Sequence, residues 1–175
     1  MTDKTTISRI ALLHPKLRDE ATKIYNEITT ALTGRAMCRF SFTLRTIAEQ
    51  DALFAQGRTR LFDSKGNRLG IVTKARGGQS YHNYGLAIDI VLLVDRDNNK
   101  SFESASWDVK TDFDRDEKSD WMECVAIFKK YGWEWGGDWK FVDAPHFQKT
   151  FGHKISALQA LVRAKKVDRN GYVLI

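Results

Sequence analysis

One acidic residue constrains this chain more than any other. Asp89 interrupts a strongly apolar run, Leu86-Ala-Ile-Asp-Ile-Val-Leu-Leu-Val94. Such a run reads as a central strand of a sheet. A carboxylate held in the middle of a buried strand costs several kcal/mol unless its charge is compensated. A metal ion is one compensation. A hydrogen-bonded or arginine-paired structural aspartate is another, and the strand by itself does not choose between them.

The surrounding pattern places this strand in a mixed fold. Pro15 opens a helical repeat through Leu17, Ala21, Ile24, Ile28 and Leu32, and Gly34 stops it. Cys38 to Leu44 alternates as a half-buried strand, and Thr46 with Glu49 forms a capping box for a helix through Gln56. Asp63-Ser-Lys-Gly-Asn reads as a turn, and Lys74 to Gln79 as a loop. Asp95 to Asp116 is polar and reads as irregular surface, with Asp95, Asp97, Glu103 and Asp108 on a solvated face. Ser119 caps a helix to Lys130, a short strand is expected near His146, and a last helix runs from Ile155 to Lys166 with Ile155, Leu158, Leu161 and Val162 on one side. Helices and strands do not alternate regularly. The expected class is therefore α+β, a small, mostly antiparallel sheet flanked by helices.

The 175 residues suit one domain spanning 1–175. The formal net charge of +6 suits an acidic partner, but the basic residues are interleaved with acids and no nucleic-acid motif appears, so nucleic acid is not expected. No apolar run is long enough for a transmembrane segment. The polar opening Met1-Thr-Asp-Lys-Thr-Thr lacks the apolar core of an export signal, which places synthesis in the cytoplasm. Cys38 and Cys124 form no Cys-x-x-Cys pair and read as two buried reduced thiols.

Two further segments bear on Asp89. His82 precedes the strand, and Gly85 permits a sharp turn between the two. In Asp143-Ala-Pro-His146-Phe-Gln148, Pro145 fixes the backbone before His146. Two histidines and one carboxylate leave a fourth tetrahedral position for water, as in catalytic zinc sites, and that water ionises near pH 7. Asp143 is the first choice for the general base, and Asp138 the weaker one. His153 is the fallback ligand, and His14 reads as an ordinary histidine.

The stretch Ser80-Tyr-His82-Asn-Tyr-Gly85-Leu-Ala87-Ile-Asp89, followed by Asp143-x-x-His146, resembles the zinc D-alanyl-D-alanine carboxypeptidases and, within them, the L-alanyl-D-glutamate endopeptidases of phage endolysins. The likeness extends from about Phe40 to the C-terminus and includes Trp135-Gly-Gly-Asp-Trp139 and Gly171-Tyr-Val-Leu174. It implies the fold shared with the Hedgehog signalling domain, one Zn2+ held by His82, Asp89 and His146, Asp143 as catalytic acid, and Arg45 stabilising the transition state. Ser80 would support a ligand, and Tyr84, Trp135 and Trp139 would line the cleft, although tryptophans serve the core as often. Leu44-Arg45-Thr46 replaces a commoner Tyr-Arg-Ser, and Gln148 stands where many members have Glu.

The resemblance further implies bacteriolytic cleavage of the L-alanyl-D-glutamate bond in peptidoglycan by a phage or prophage monomer with no separate wall-binding module, released through a holin-type pore. The alternatives are a D-alanyl-D-alanine carboxypeptidase using the same zinc chemistry and a non-catalytic, zinc-containing binding module.

Overall fold

The computed structural model describes residues 3–175. Met1 and Thr2, which open the polar stretch considered above, lie outside the described residues. In chain order the elements are helices α1 (Lys4–Ala11) and α2 (Pro15–Ala31), strand β1 (Ala36–Phe42), helix α3 (Ile47–Ala55), a 3-10 turn (Tyr81–Tyr84), strands β2 (Ala87–Val94) and β3 (Ser104–Ser106), helix α4 (Asp120–Lys130), strand β4 (Glu134–Trp135), a second 3-10 turn (Gly136–Asp138), strand β5 (His146–Gln148) and helix α5 (Ile155–Arg163). The class is α+β with a small antiparallel sheet. The chain divides into two compact units. Among the described residues no helix is long and apolar enough to cross a membrane.

The first unit takes the described residues up to Thr43 together with Ala87–Lys149. Its sheet has the order β1-β2-β5-β4, with β3 also on β2. Seven of the eight residues of β2 are buried, and the exception is Asp89. Burying each of its large aliphatic side chains contributes about 1.5–3 kcal/mol, which anchors the strand at the centre of the sheet. Beside it Phe147 stacks on Phe128 of α4 at 4.1 Å between ring centres, and Phe40 and Trp133 pack around the same ring.

Two registers aim β2. Asp89 lies opposite His146 on β5. On its other edge the pairing with β1 slips between Phe40 and Phe42, so Ser41 bulges and its hydroxyl donates to the Asp89 carbonyl at 3.0 Å. Bulges of this kind re-aim neighbouring side chains.

Several boundaries differ from the sequence expectation. The chain opens with α1, ahead of the helix expected at Pro15. Asp3 caps it by accepting from the Thr6 N–H at 3.1 Å, and Arg39 grips the same carboxylate. Only Thr6 and Ile10 of α1 are fully buried, too few to show as a helical stripe. Strand β1 runs from Ala36 rather than Cys38 and ends at Phe42, because Thr43 turns away to donate its hydroxyl to the Arg9 carbonyl. The segment from Asp95 to Asp116 is not wholly irregular: Ser104–Ser106 pairs with β2. Cys38 and Cys124 are buried and free.

The second unit comprises Leu44–Leu86 and Thr150–Ile175. The capping box forms as expected: Thr46 Oγ1 accepts from the Glu49 N–H, and the Glu49 carboxylate accepts from the Thr46 N–H. Helix α5 ends at Arg163, short of Lys166. Lys165 enters a left-handed conformation at φ 55°, and Lys166 then donates back to the Leu161 carbonyl. Of the expected apolar side only Leu158 is fully buried, and Val162 is exposed.

Candidate metal centre

His82 reaches its place through local hydrogen bonding. Ser80 Oγ accepts from the His82 N–H at 3.3 Å, and Asn83 Oδ1 accepts from the Ser80 N–H, so Tyr81–Tyr84 closes as a capped 3-10 turn. Gly85 ends the turn at φ 67°, a left-handed conformation that suits glycine, and sends the chain into β2. The His82 ring is thereby held in a buried position, 2% exposed.

His146 faces Asp89 across the sheet. Its Nδ1 lies 3.1 Å from Asp89 Oδ1, and its Nε2 lies 3.1 Å from Gln148 Oε1. Gln148 is fixed in turn, donating from Nε2 to Glu134 Oε2 at 2.8 Å. Burial alone would lower the affinity of His146 for protons, but the Asp89 carboxylate, Gln148 and Asp143 outweigh it and hold the imidazole above the usual histidine range. Asp89 and His146, two of the candidate ligands, belong to the first unit, and His82, the third, belongs to the second. Two buried imidazoles and a carboxylate form the donor set that a borderline-soft divalent ion prefers.

Asp143 is placed by the backbone. Its N–H donates to the Gly136 carbonyl at 2.9 Å, and its own carbonyl accepts from the His146 N–H at 3.1 Å. Gly136 is required by close approach, since a Cβ there would stand 2.4 Å from the Asp143 carbonyl oxygen. The Asp143 side chain is exposed. Asp138 instead forms an ion pair with Lys129 at 2.8 Å. The ring of Trp139 lies 5.2 Å from that of His146, and Trp135 is anchored by donating its indole N–H to the Ala144 carbonyl at 2.7 Å.

In the second unit Arg45 is tied to the His82 turn. Its N–H donates to the His82 carbonyl at 3.0 Å, and its own carbonyl accepts from Asn83 Nδ2 at 2.9 Å. Its guanidinium donates to Gln50 Oε1 at 3.0 Å, and the fully buried Gln50 amide reaches on to the Ala75 carbonyl. Asn83 and Gln50 escaped the sequence reading. Their type and spacing carry no signal, because each works by joining loops distant in sequence. Tyr84 donates its hydroxyl to the Gly78 carbonyl and, with Leu44, Ile47 and Arg163, lines a cleft of about 450 Å³ whose lining includes none of the three candidate ligands. His153 is half-buried, and its carbonyl accepts from the Tyr81 hydroxyl. His14 caps α2, its Nδ1 accepting from the Lys16 N–H.

Residues 73–149, which include His82, Asp89, Asp143 and His146, match the family model of the D-alanyl-D-alanine carboxypeptidases. Over 105 residues the chain is 52% identical to the peptidoglycan L-alanyl-D-glutamate endopeptidase CwlK of Bacillus subtilis (strain 168). That match takes in 59% of this chain and 55% of the relative, so the chain spans about half the length of the curated protein it matches. The fold is that of the crystal structure of Serratia marcescens L-Ala D-Glu endopeptidase ChiX, with a TM-score of 0.53, 22% sequence identity, and coverage of 86% of this chain and 90% of that one.

Proposed function

We propose that this chain is a zinc peptidase of the carboxypeptidase family it matches and hydrolyses the L-alanyl-D-glutamate bond of peptidoglycan stem peptides. The observation that carries the reading is the pairing of the buried His146 imidazole with Asp89, the one carboxylate of an otherwise apolar central strand. The 52% identity to an enzyme named for that bond supports the choice of substrate.

His82, Asp89 and His146 would hold one zinc ion. Bound there, zinc supplies a Lewis acid and brings the ionisation of water towards about pH 7. Asp143 takes the proton of the attacking water and returns it to the leaving amine. Its exposure leaves the carboxylate open to substrate and to the attacking water. Arg45 offers a fixed guanidinium to the carbonyl oxygen as it becomes negative, and Gln50 keeps it in place. Trp139, its ring tilted at 49° to that of His146, covers one side of the imidazole. The net charge of +6 favours an anionic envelope and suits a bacteriolytic, endolysin-like role.

The second reading, removal of a terminal D-alanine, is favoured by the description of the matched family. Mass spectrometry of digested sacculi separates the two. Peptides that begin with D-glutamate are expected. Intact stems shortened by a single alanine would give the reaction to the carboxypeptidase, and untouched stems would leave a non-catalytic module.

A further inference from the structure

The segment that leads into α4 reads Asp112-Phe-Asp114-Arg-Asp116-Glu117-Lys118-Ser-Asp120-Trp-Met-Glu123. Within twelve residues, acids occupy places one, three, five, nine and twelve, the ligand spacing of a calcium loop that runs into a helix. Such loops carry glycine at place six for a left-handed turn. Glu117 stands there and makes that turn at φ 73°. Asp112 accepts from the Glu117 N–H at 2.9 Å, which braces the curl.

Spacing and turn describe an acidic cluster and no more. The independent observation is a set of orphaned oxygens. Asp120 is wholly buried at 0% exposure; its Oδ2 accepts from the Phe113 N–H at 2.6 Å, and its Oδ1 has no hydrogen-bond partner. Asp114 repeats the arrangement: Oδ2 accepts from the Thr33 N–H at 2.7 Å, and Oδ1 is buried with no partner. Glu123 Oε2 is buried and unpartnered as well. One ligand oxygen each from Asp114, Asp120 and Glu123 lies within 4.8 Å of the others, and the same holds for Asp112, Asp114 and Asp116, with Asp114 common to both groups. A buried carboxylate oxygen without a partner is costly, and three together repel one another. The nearby Lys118 pairs with Asp116 at 3.0 Å, on a side chain that is itself exposed. In the Asp95-Arg-Asp97-Asn-Asn99 turn both oxygens of Asp95 accept backbone N–H groups, as those of Asp112 do, but no buried oxygen of Asp95 or Asp97 is left without a partner.

We infer that Asp112, Asp114, Asp116, Asp120 and Glu123 form a second cation site, distinct from the His82 group, for a hard divalent ion of the calcium type. The donors are all oxygen, which disfavours zinc, and five carboxylates drawn from a loop and the start of α4 suit the high, adaptable coordination of calcium better than the strict octahedron of magnesium. Filling the site ties the Thr33 turn after α2, the loop and the first turns of α4 into one piece.

The test is calcium chloride titrated into the purified chain, read by thermal unfolding and by titration calorimetry. At a hundredfold excess over Kd the midpoint should rise by roughly 5–10 °C. Terbium should bind with emission sensitised by the adjacent Trp121, and calcium should displace it. Glu123→Gln should weaken binding by on the order of tenfold or more, and Asp112→Asn serves if that variant folds poorly. His82→Ala should keep the full calcium response, which separates this site from the proposed zinc centre. No heat and no shift at millimolar calcium would overturn the inference, as would an unchanged response in both acidic variants. An equal response to magnesium would overturn the assignment to calcium.

Discussion

Replacing Gly136 with alanine tests how Asp143 is held without touching Asp143 itself. The new methyl would stand 2.4 Å from the Asp143 carbonyl oxygen and 3.2 Å from its Cβ, whereas real Cβ contacts under 3.0 Å essentially do not occur. The Asp143 backbone must therefore retreat by at least 0.6 Å. That oxygen accepts from the His146 N–H, and the Asp143 N–H donates to Gly136, so the retreat strains both bonds. Overpacking of this kind costs about 1–3 kcal/mol. At roughly 2–4 °C per kcal/mol for a chain of this size, the unfolding midpoint should fall by about 2–12 °C. A misplacement of about 1 Å in a catalytic group costs on the order of a hundredfold in rate, so kcat should fall roughly ten- to a hundredfold. His146 remains paired with Asp89 in the sheet, so bound zinc should be retained. The assay is release of peptides from purified sacculi, with metal content and unfolding measured on the same samples. Gly70→Ala is the control, since no atom lies within 4 Å of its added Cβ. A wild-type kcat in Gly136→Ala would refute the idea that this contact places a catalytic base. Loss of zinc with unchanged kcat per bound metal would refute it equally.

Asp143→Ala should retain zinc and lose at least a hundredfold in kcat, whereas His82→Ala should lose the metal itself; metal analysis beside turnover separates the two. Arg45→Lys, which keeps the charge but not the planar fork, should lower kcat on the order of a hundredfold with little change in KM, read from steady-state kinetics. Asp3→Ala should cost about 1–2 kcal/mol by removing the cap of α1, measured by urea unfolding. Burial would raise the Asp3 carboxyl, but hydrogen bonds from Arg39 and Thr6 outweigh it and hold the carboxyl below its ordinary 3.8. The stability it adds is therefore present above about 3.8 and is lost as pH falls through the lower folded value. Wild type and Asp3→Ala should accordingly converge in stability below that pH, and a constant difference down to strong acid would contradict the assignment.

What could be read from the sequence was what rests on local signals. The apolar run around Asp89 marked the central strand, Thr46 with Glu49 marked a helix start, and Gly85 marked the turn after His82. Asp89 stood out because a charge in a buried strand demands an explanation. Other features depend on partners distant in the chain. Helix α1 is held by Asp3 on Arg39 and by Thr6 on Phe40, and β4 has only two residues and exists by pairing with β5. The Gln50–Ala75 bond and the Asn83 bridge to Arg45 are likewise visible only once the loops meet. The acids from Asp112 to Glu123 were not singled out in the sequence, where Glu117 stands in place of a calcium loop's glycine, and their meaning came from oxygens left without partners.

The proposed hydrolysis depends on zinc held by two imidazoles and one carboxylate. X-ray absorption at the zinc edge of the purified protein tests this most directly. The predicted spectrum shows nitrogen and oxygen neighbours at about 2.0–2.2 Å, with the multiple scattering of two imidazoles. Sulfur neighbours at about 2.3 Å, or no bound zinc after supplementation, would contradict it.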